Sequence, residues 1–433
     1  MSARFSISDA DFEQRFQDVL GQKRETDADV NDTVARILQD VKNRGDEAVI
    51  EYTNQFDRLD LKSGADLKVT SEEIKAAKAK CDEKTLSALS IAAERIKSYH
   101  EKQKPENLRY TDADGIELGY RWTAIEAVGL YVPGGLATYP SSVLMNAIPA
   151  KVAGATRLVM VVPTPDGTIN PLVLAAADLC GVDEVYRIGG AQAVAALAYG
   201  TDTIAKVDKI VGPGNAFVAT AKKQVFGTVG IDMIAGPSEI LVVADNKNDP
   251  AWIAADLLSQ AEHDPVAQSI LITDDATYAE EVEKAVQHHL TTLPRTDIAG
   301  ESWKNYGVII VVDHMDQAPA LVDRLAPEHL ELCVDDPDLL SEKISHAGAI
   351  FLGRYTPEAI GDYIAGPNHV LPTARTARFS SGLSTLDFMK RSSLIKLDAE
   401  GLQKIGPPAV DLANSEGLGA HALSIAIRLN MPK

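Results

Sequence analysis

The sequence predicts an α/β protein built on parallel sheets. From about residue 127 onward, short apolar runs end in glycine turns and lead into alanine-rich stretches at helical spacing. That repeat of strand, turn and helix belongs to parallel sheets. Ahead of it, the first 100 residues are mostly helical in pattern. A chain of 433 residues that is 45% hydrophobic can fill the cores of two to three domains.

Charge and cysteine usage narrow the function classes. The chain has 42 Lys plus Arg against 62 Asp plus Glu, a net charge of −20. With no basic tract to neutralise phosphates, nucleic acid and anionic membrane surfaces are poor partners. No apolar run reaches the roughly 18 residues needed to span a bilayer. Residues Met1 to Ser6 carry no apolar signal core, so a cytoplasmic location is expected. Cys81, Cys180 and Cys333 are far apart and form no C-x-x-C, which fits a reducing compartment and argues against a thiolate zinc site. Each reads as a small core residue, with a catalytic thiol as the alternative.

In chain order, residues 8 to 20 read as a short amphipathic helix with Phe12, Phe16, Val19 and Leu20 on one side. An arm that small encloses no core and is expected to dock on something, a partner subunit included. Val30, Val34, Ile37, Leu38 and Val41 mark a second helix, closed by Gly45. Thr70 and Glu73 form a capping box that opens a helical pattern running to about His100. His100 sits among Lys and Glu residues and is expected to face solvent.

The strand candidates follow. Ala127 to Val132 ends in Pro133-Gly134-Gly135, Leu158 to Val162 ends in Pro163, and Val185 to Ile188 ends in Gly189-Gly190. Lys209 to Val211 ends in Gly212-Pro213-Gly214-Asn215. In open α/β sheets, ligands bind beyond the carboxyl ends of the strands. Tyr131, Gln192 and Asn215 sit at or just after such ends. No G-x-G-x-x-G is present there, and the pattern alone leaves open whether these glycines shape a nucleotide site or only make tight turns.

The stretch from Ile231 to His263 is the most information-rich. Ala235-Gly236-Pro237-Ser238 turns into the apolar strand Ile240 to Ala244. Asp249 is a good N-cap and Pro250 suits the first helical turn. Ile253, Leu257, Leu258 and Ala261 make the buried stripe of that helix. Asp256, Gln260 and His263 fall at i, i+4 and i+7 on another face. A His and an oxygen donor one turn apart suit two positions of a metal, and they equally suit a plain solvated face.

Ser269 to Thr273 and Val308 to Val312 read as further strands, with His288 and His289 exposed on a polar helix between them. Glu328 and His329 stand just before another apolar run. A histidine there could serve as general base with a partner carboxylate, although many such pairs are surface residues. Ala349 to Gly353 is one more strand. It leads to two further site candidates, Asp362 and His369. The last 50 or so residues form a separate tail carrying Glu416 on a helical segment and His421 on a final helix.

Taken together, these segments closely resemble the histidinol dehydrogenase family. The resemblance rests on Ile231-Asp232, on Ala235 through Glu239, and on Ser259-Gln260-Ala261-Glu262-His263. It also rests on Tyr131 through Gly135, Gly212 through Asn215, Pro327-Glu328-His329-Leu330 and Asn368 through Pro372. It covers nearly the whole chain and is least distinctive over the first 100 residues. Pro367 departs from the small polar residue expected before Asn368.

The resemblance implies oxidation of L-histidinol to L-histidine through the aldehyde, with zinc and NAD, in the last two steps of histidine biosynthesis. Its metal ligands would be Gln260, His263, Asp362 and His421, a nitrogen and oxygen set that can leave positions open. His329 and Glu328 would be the catalytic pair. Ser238, Gln260, His263, His329, Asp362, His369, Glu416 and His421 would meet substrate, and Tyr131, Gln192 and Asn215 would meet NAD. The implied fold is two incomplete Rossmann-like domains, aldehyde-dehydrogenase-like, with small helical terminal arms exchanged in a homodimer. The expected division is an N-terminal arm at 1–24, a larger domain at 25–129 plus 239–381, a second domain on the NAD side at 130–238, and a tail at 382–433. The alternatives are a related zinc and NAD dehydrogenase acting on another small alcohol, such as a sulfonated diol, and a zinc hydrolase using Glu328 to activate water.

Overall fold

The computed structural model describes residues 2–22, 28–134, 139–234 and 236–431. Gly135 and Ala235 of the motifs above, and Lys23 and Arg24 of the expected arm, lie outside the described residues.

Three sheets organise these residues, and two of them are parallel. A six-stranded sheet contains β1 (Ala3–Ser6), β9 (Glu239–Ala244), β10 (Gln268–Thr273), β11 (Val308–Val311), β12 (His329–Cys333) and β13 (Ala349–Leu352). Their order is β1-β11-β10-β9-β12-β13, with every pairing parallel. All residues of β9, β10 and β12 are buried, as parallel strands covered on both faces require. The helices Pro250–Ala261 and Ala276–His289 cover one face. The other face carries the helices Phe12–Gly21 and Ala318–Leu325.

The N-terminal arm therefore docks on its own chain. Phe12, Phe16 and Val19 are buried as the periodicity predicts, and Phe5 joins them from β1. The strand itself was not expected. Four residues have too little pattern to announce a strand, and their pairing partner lies some 300 positions away at β11.

A five-stranded parallel sheet holds β4 (Ala127–Tyr131), β5 (Arg157–Val161), β6 (Glu184–Tyr186), β7 (Lys209–Val211) and β8 (Gly230–Ile231), in the order β6-β5-β4-β7-β8. On one face Val34, Ile37, Leu38, Val41, Ala48 and Val49 share a core with the helix Gly190–Tyr199. On the other, Ala92 and Ile96 pack with the helix Pro140–Ala153. Thus the helices between residues 28 and 101 pack against this second sheet. Their apolar stripes match its two faces.

The third sheet is antiparallel, β14-β3-β2, formed by β2 (Leu108–Thr111), β3 (Glu117–Ala124) and β14 (Met389–Lys396). It ties the tail to the middle of the chain. The tail helices Ala399–Ser415 and Gly419–Ala426 then present Leu412, Leu418, Leu423 and Ile427 to solvent.

Two local expectations change. The single helix from Thr70 to His100 is two helices, Ser71–Lys78 and Glu83–Glu101. The Asp82 side chain accepts from Thr85 N at the start of the second. His100 is fully buried, not exposed: its Nδ1 donates to the Ile96 carbonyl at 2.8 Å, and Thr385 Oγ1 donates to the His100 carbonyl at 2.8 Å. The packing of residues 383–388 over the helix end covers it. Among the described residues, no helix is long and apolar enough to cross a membrane.

Candidate active site

A cavity of about 780 Å³ lies where the carboxyl edge of the five-stranded sheet meets the amino edge of the six-stranded one. Tyr131, Gln192 and Asn215 line it from beyond β4, β6 and β7. Ser238, Glu328 and His329 line it from the starts of β9 and β12, joined by His263, Asp362 and His369. The cavity thus lies at strand carboxyl ends for the five-stranded sheet only; the six-stranded sheet offers it amino ends.

The first group is held by backbone donors. Tyr131 is buried, and its hydroxyl accepts from Gly190 N at 3.0 Å. Burial pushes its phenol up to about 12. Gln192 is buried, and its Oε1 has no hydrogen-bond partner among the described residues. Asn215 caps the helix Ala216–Val225 by accepting from Phe217 N at 3.1 Å and Val218 N at 3.2 Å. Its amide NH2 stays available to a ligand. Gly212 has φ +113°, and a Cβ there would collide with the Tyr131 carbonyl. Lys222 and Asp232 form a buried ion pair under this turn.

The second group surrounds His329. Its Nδ1 lies 3.1 Å from the Glu239 carbonyl. A carbonyl only accepts, so Nδ1 carries the proton and Nε2 is left for chemistry. Glu328 Oε2 accepts from Glu239 N at 3.0 Å. One residue, Glu239 at the start of β9, therefore fixes both members of the pair through its backbone N–H and C=O. His329 Nε2 is 3.7 Å from Asp362 Oδ1. Burial raises Glu328 to about 8. Burial alone would lower His329, but Glu358, Glu328 and Asp362 together raise it. Asp362 is lowered: burial opposes this, and His329, His369 and His263 outweigh it. Burial lowers His263 and His369, which favours their neutral forms. His369 Nδ1 donates to the Asp362 carbonyl at 3.0 Å.

The helical stripe read as metal-binding or solvated is buried at its middle, with Asp256 and His263 half-buried on either side. Gln260 is fully buried, and its Nε2 lies 3.4 Å from His263 Nδ1. Its Oε1 has no hydrogen-bond partner among the described residues. An unpaired buried carbonyl beside a neutral imidazole and a carboxylate is a donor set that fits a zinc ion. Glu416 and His421 are not part of the cavity within one chain; both are exposed on the tail.

Several groups escaped the sequence reading. Donor atoms of His329, Glu358 and Asp362 lie within 4.8 Å of one another, a second possible metal grouping. Glu358 does not line the cavity. Behind it stand Glu331 and Asp256, both raised by burial, Asp256 to about 6. A signal existed for Glu331: a carboxylate inside the apolar run Leu330 to Val334 has nowhere polar to go.

Comparison with known proteins decides the family. A family model described as histidinol dehydrogenase matches residues 20–429. The chain belongs to the histidinol dehydrogenase family. That membership makes it an oxidoreductase. It is 65% identical over 431 residues to histidinol dehydrogenase from Rhodospirillum rubrum, covering 99% of each chain. It is 62% identical to that from Mesorhizobium japonicum, covering 100% of each. The crystal structure of histidinol dehydrogenase from Elizabethkingia anophelis superposes with a TM-score of 0.94 at 37% identity, covering 99% of this chain and 98% of that one.

Proposed function

We propose that this protein oxidises L-histidinol to L-histidine through the aldehyde, using two NAD and one zinc per subunit. The observation that carries the reading is the buried Glu328–His329 pair. It opens into the same cavity as the glycine turn holding Asn215 and the buried amide of Gln192.

The residues divide the chemistry. His329 Nε2 takes the alcohol O–H proton as a hydride leaves the carbon that bears that oxygen, giving the aldehyde. Glu328 then accepts a proton from water as its oxygen adds to the aldehyde carbon, and His329 returns its proton to the aldehyde oxygen, which leaves it neutral again. His329 takes the proton of the resulting hydrate as the second hydride leaves. Both groups sit side by side at the start of β12, so an intermediate that stays bound meets each in place. NAD, bound against Tyr131, Gln192 and Asn215, supplies the hydride acceptor. Zinc, held by Gln260, His263 and Asp362 with a histidine from the tail, would orient the imidazole and amine of the substrate. Ser238 and His369 would complete the pocket.

Glu416 and His421 enter this reading through a second copy of the chain. The tail helices expose Leu412, Leu418, Leu423 and Ile427, an apolar face suited to docking on another subunit. In the proposed homodimer, that docking carries both residues into the neighbouring cavity. A charged amino-imidazole substrate calls for the acidic Glu416, which favours histidinol over a sulfonated diol.

The test mixes two variants that form almost no L-histidine, Glu328→Gln and His421→Ala, by joint unfolding and refolding, and activity is read as L-histidine formed. If the tail is exchanged, half the dimers are hybrids with one intact site, and about a quarter of wild-type activity returns. No restoration would show that each site is completed within one chain. NADH formation from L-histidinol, set against a sulfonated diol, tests the substrate directly.

A further inference from the structure

Glu358 is a buried carboxylate that the mechanism above leaves unused. Its side chain is 2% exposed. It lies behind His329 as seen from the cavity, since His329 lines the cavity and Glu358 does not. Its Oε1 is 3.3 Å from His329 Nδ1, a charge contact without hydrogen-bond alignment, and has no hydrogen-bond partner among the described residues. A buried carboxylate oxygen is costly unless something polar lies against it, and the Nδ1 edge of the imidazole is what lies against it here.

The carboxylate is itself held in place. Its backbone N–H donates to Glu331 Oε1 at 2.6 Å, and Ser259 Oγ donates to Oε2 at 3.5 Å. Glu331, on β12, hydrogen-bonds in turn with Asp256 on the helix Pro250–Ala261. Three carboxyl groups thus run from that helix through the sheet to the back of the catalytic histidine. Burial pushes Glu358 up to about 8, with His329 opposing it.

We infer that Glu358 is a positioning residue for His329: its carboxylate lies against the Nδ1 edge by charge contact while the Glu239 carbonyl accepts the Nδ1–H, so that Nε2 stays on the cavity side. With a carbonyl and a carboxylate oxygen beside that edge, the flipped imidazole is disfavoured, since it would set a carbon edge against both. The carboxylate also faces the ring when His329 takes the substrate proton. The logic is that of any base held by a third group. The inference rests on the proposed function, because it assigns a partner to that function's base.

The same oxygen belongs to the possible metal grouping of His329, Glu358 and Asp362, so the test must separate positioning from ligation. In Glu358→Gln the shape is kept and the charge removed. Expected results are a kcat lower by roughly ten- to a hundredfold, KM for L-histidinol and NAD within about twofold, and unchanged bound zinc per subunit. The solvent deuterium isotope effect on kcat should rise, because proton transfer to His329 becomes limiting; a purely structural role would not move it. Unchanged kcat overturns the inference, and so does loss of zinc in proportion to loss of rate. Should that variant not fold, Glu358→Asp withdraws the oxygen from Nδ1, and the same drop is expected; wild-type kcat there overturns the inference. Wild-type protein is run alongside. If it forms no NADH from L-histidinol, the function and this inference both fail. If it does and Glu358→Gln keeps pace, only this inference fails.

Discussion

Replacing Lys222 by Met tests how the nucleotide side of the cavity is held. Lys222 and Asp232 are 3% and 1% exposed and form an ion pair. Lys222 Nζ donates to the Gly212 carbonyl at 2.9 Å, and Asp232 Oδ2 accepts from Gly212 N at 2.8 Å. The pair therefore grips both polar groups of the residue that starts the Gly212–Asn215 turn. Met fills a similar volume without the charge, and Asp232 keeps two backbone donors, Gly212 N and Met233 N, but loses its cation. Removing one partner of a buried pair costs roughly 3–5 kcal/mol. Urea unfolding of Lys222→Met should lose about that much, and KM for NAD should rise as the turn loosens. Lys222→Met combined with Asp232→Asn should recover at least about 1 kcal/mol relative to the sum of the single changes. A Lys222→Met variant that loses under about 1 kcal/mol with unchanged KM for NAD would refute the reasoning.

Two further outcomes follow from the same geometry. Glu328→Gln should slow the second oxidation by roughly a hundred- to ten-thousandfold while sparing the first, so that aldehyde accumulates and one NADH forms per histidinol; equal slowing of both steps would contradict the division of labour. In metal-free protein, Asp256 at about 6 and Glu328 and Glu358 at about 8 all lie above their ordinary values of 3.8 and 4.5. The folded state therefore holds protons that the unfolded chain releases. The stability they supply is fully present below about pH 4 and is lost as pH rises through 6 and then 8. The melting temperature should be higher at pH 5 than at pH 8.5, and Asp256→Asn should remove up to about 3 kcal/mol of that dependence. A melting temperature that climbs over the same range would count against it.

The parts of the fold that were legible are those written locally. β4, β5, β7, β9 and β10 are apolar runs closed by turn residues or a polar break. Tyr131, Gln192 and Asn215 could be placed at strand ends for the same reason, and all three line the cavity. Illegible were elements defined by a distant partner. β1 pairs with β11, and β14 pairs with β3 across roughly 270 positions. β2 is exposed along its length, so no alternation marks it. His100 looked like a surface residue because its neighbours are charged, yet residues 383–388 bury it.

The site divides in the same way. The Glu328–His329 pair could be noticed but not weighed, since burial decides its chemistry and adjacency alone does not. Glu358 lies 29 positions beyond His329 and had no motif to single it out; only β13 and the helix Glu358–Tyr363, folding back over β12, bring it behind the imidazole. Glu416 and His421 were identified by resemblance, and within one chain they stay exposed.

The central claim is a zinc-supported oxidation by four electrons, and its most direct test is NADH formed per L-histidinol consumed. The purified protein is measured before chelation, after chelation, and after zinc is restored. The account predicts two NADH per histidinol, lost on chelation and recovered with zinc. One NADH per histidinol, or turnover untouched by chelation, would contradict it.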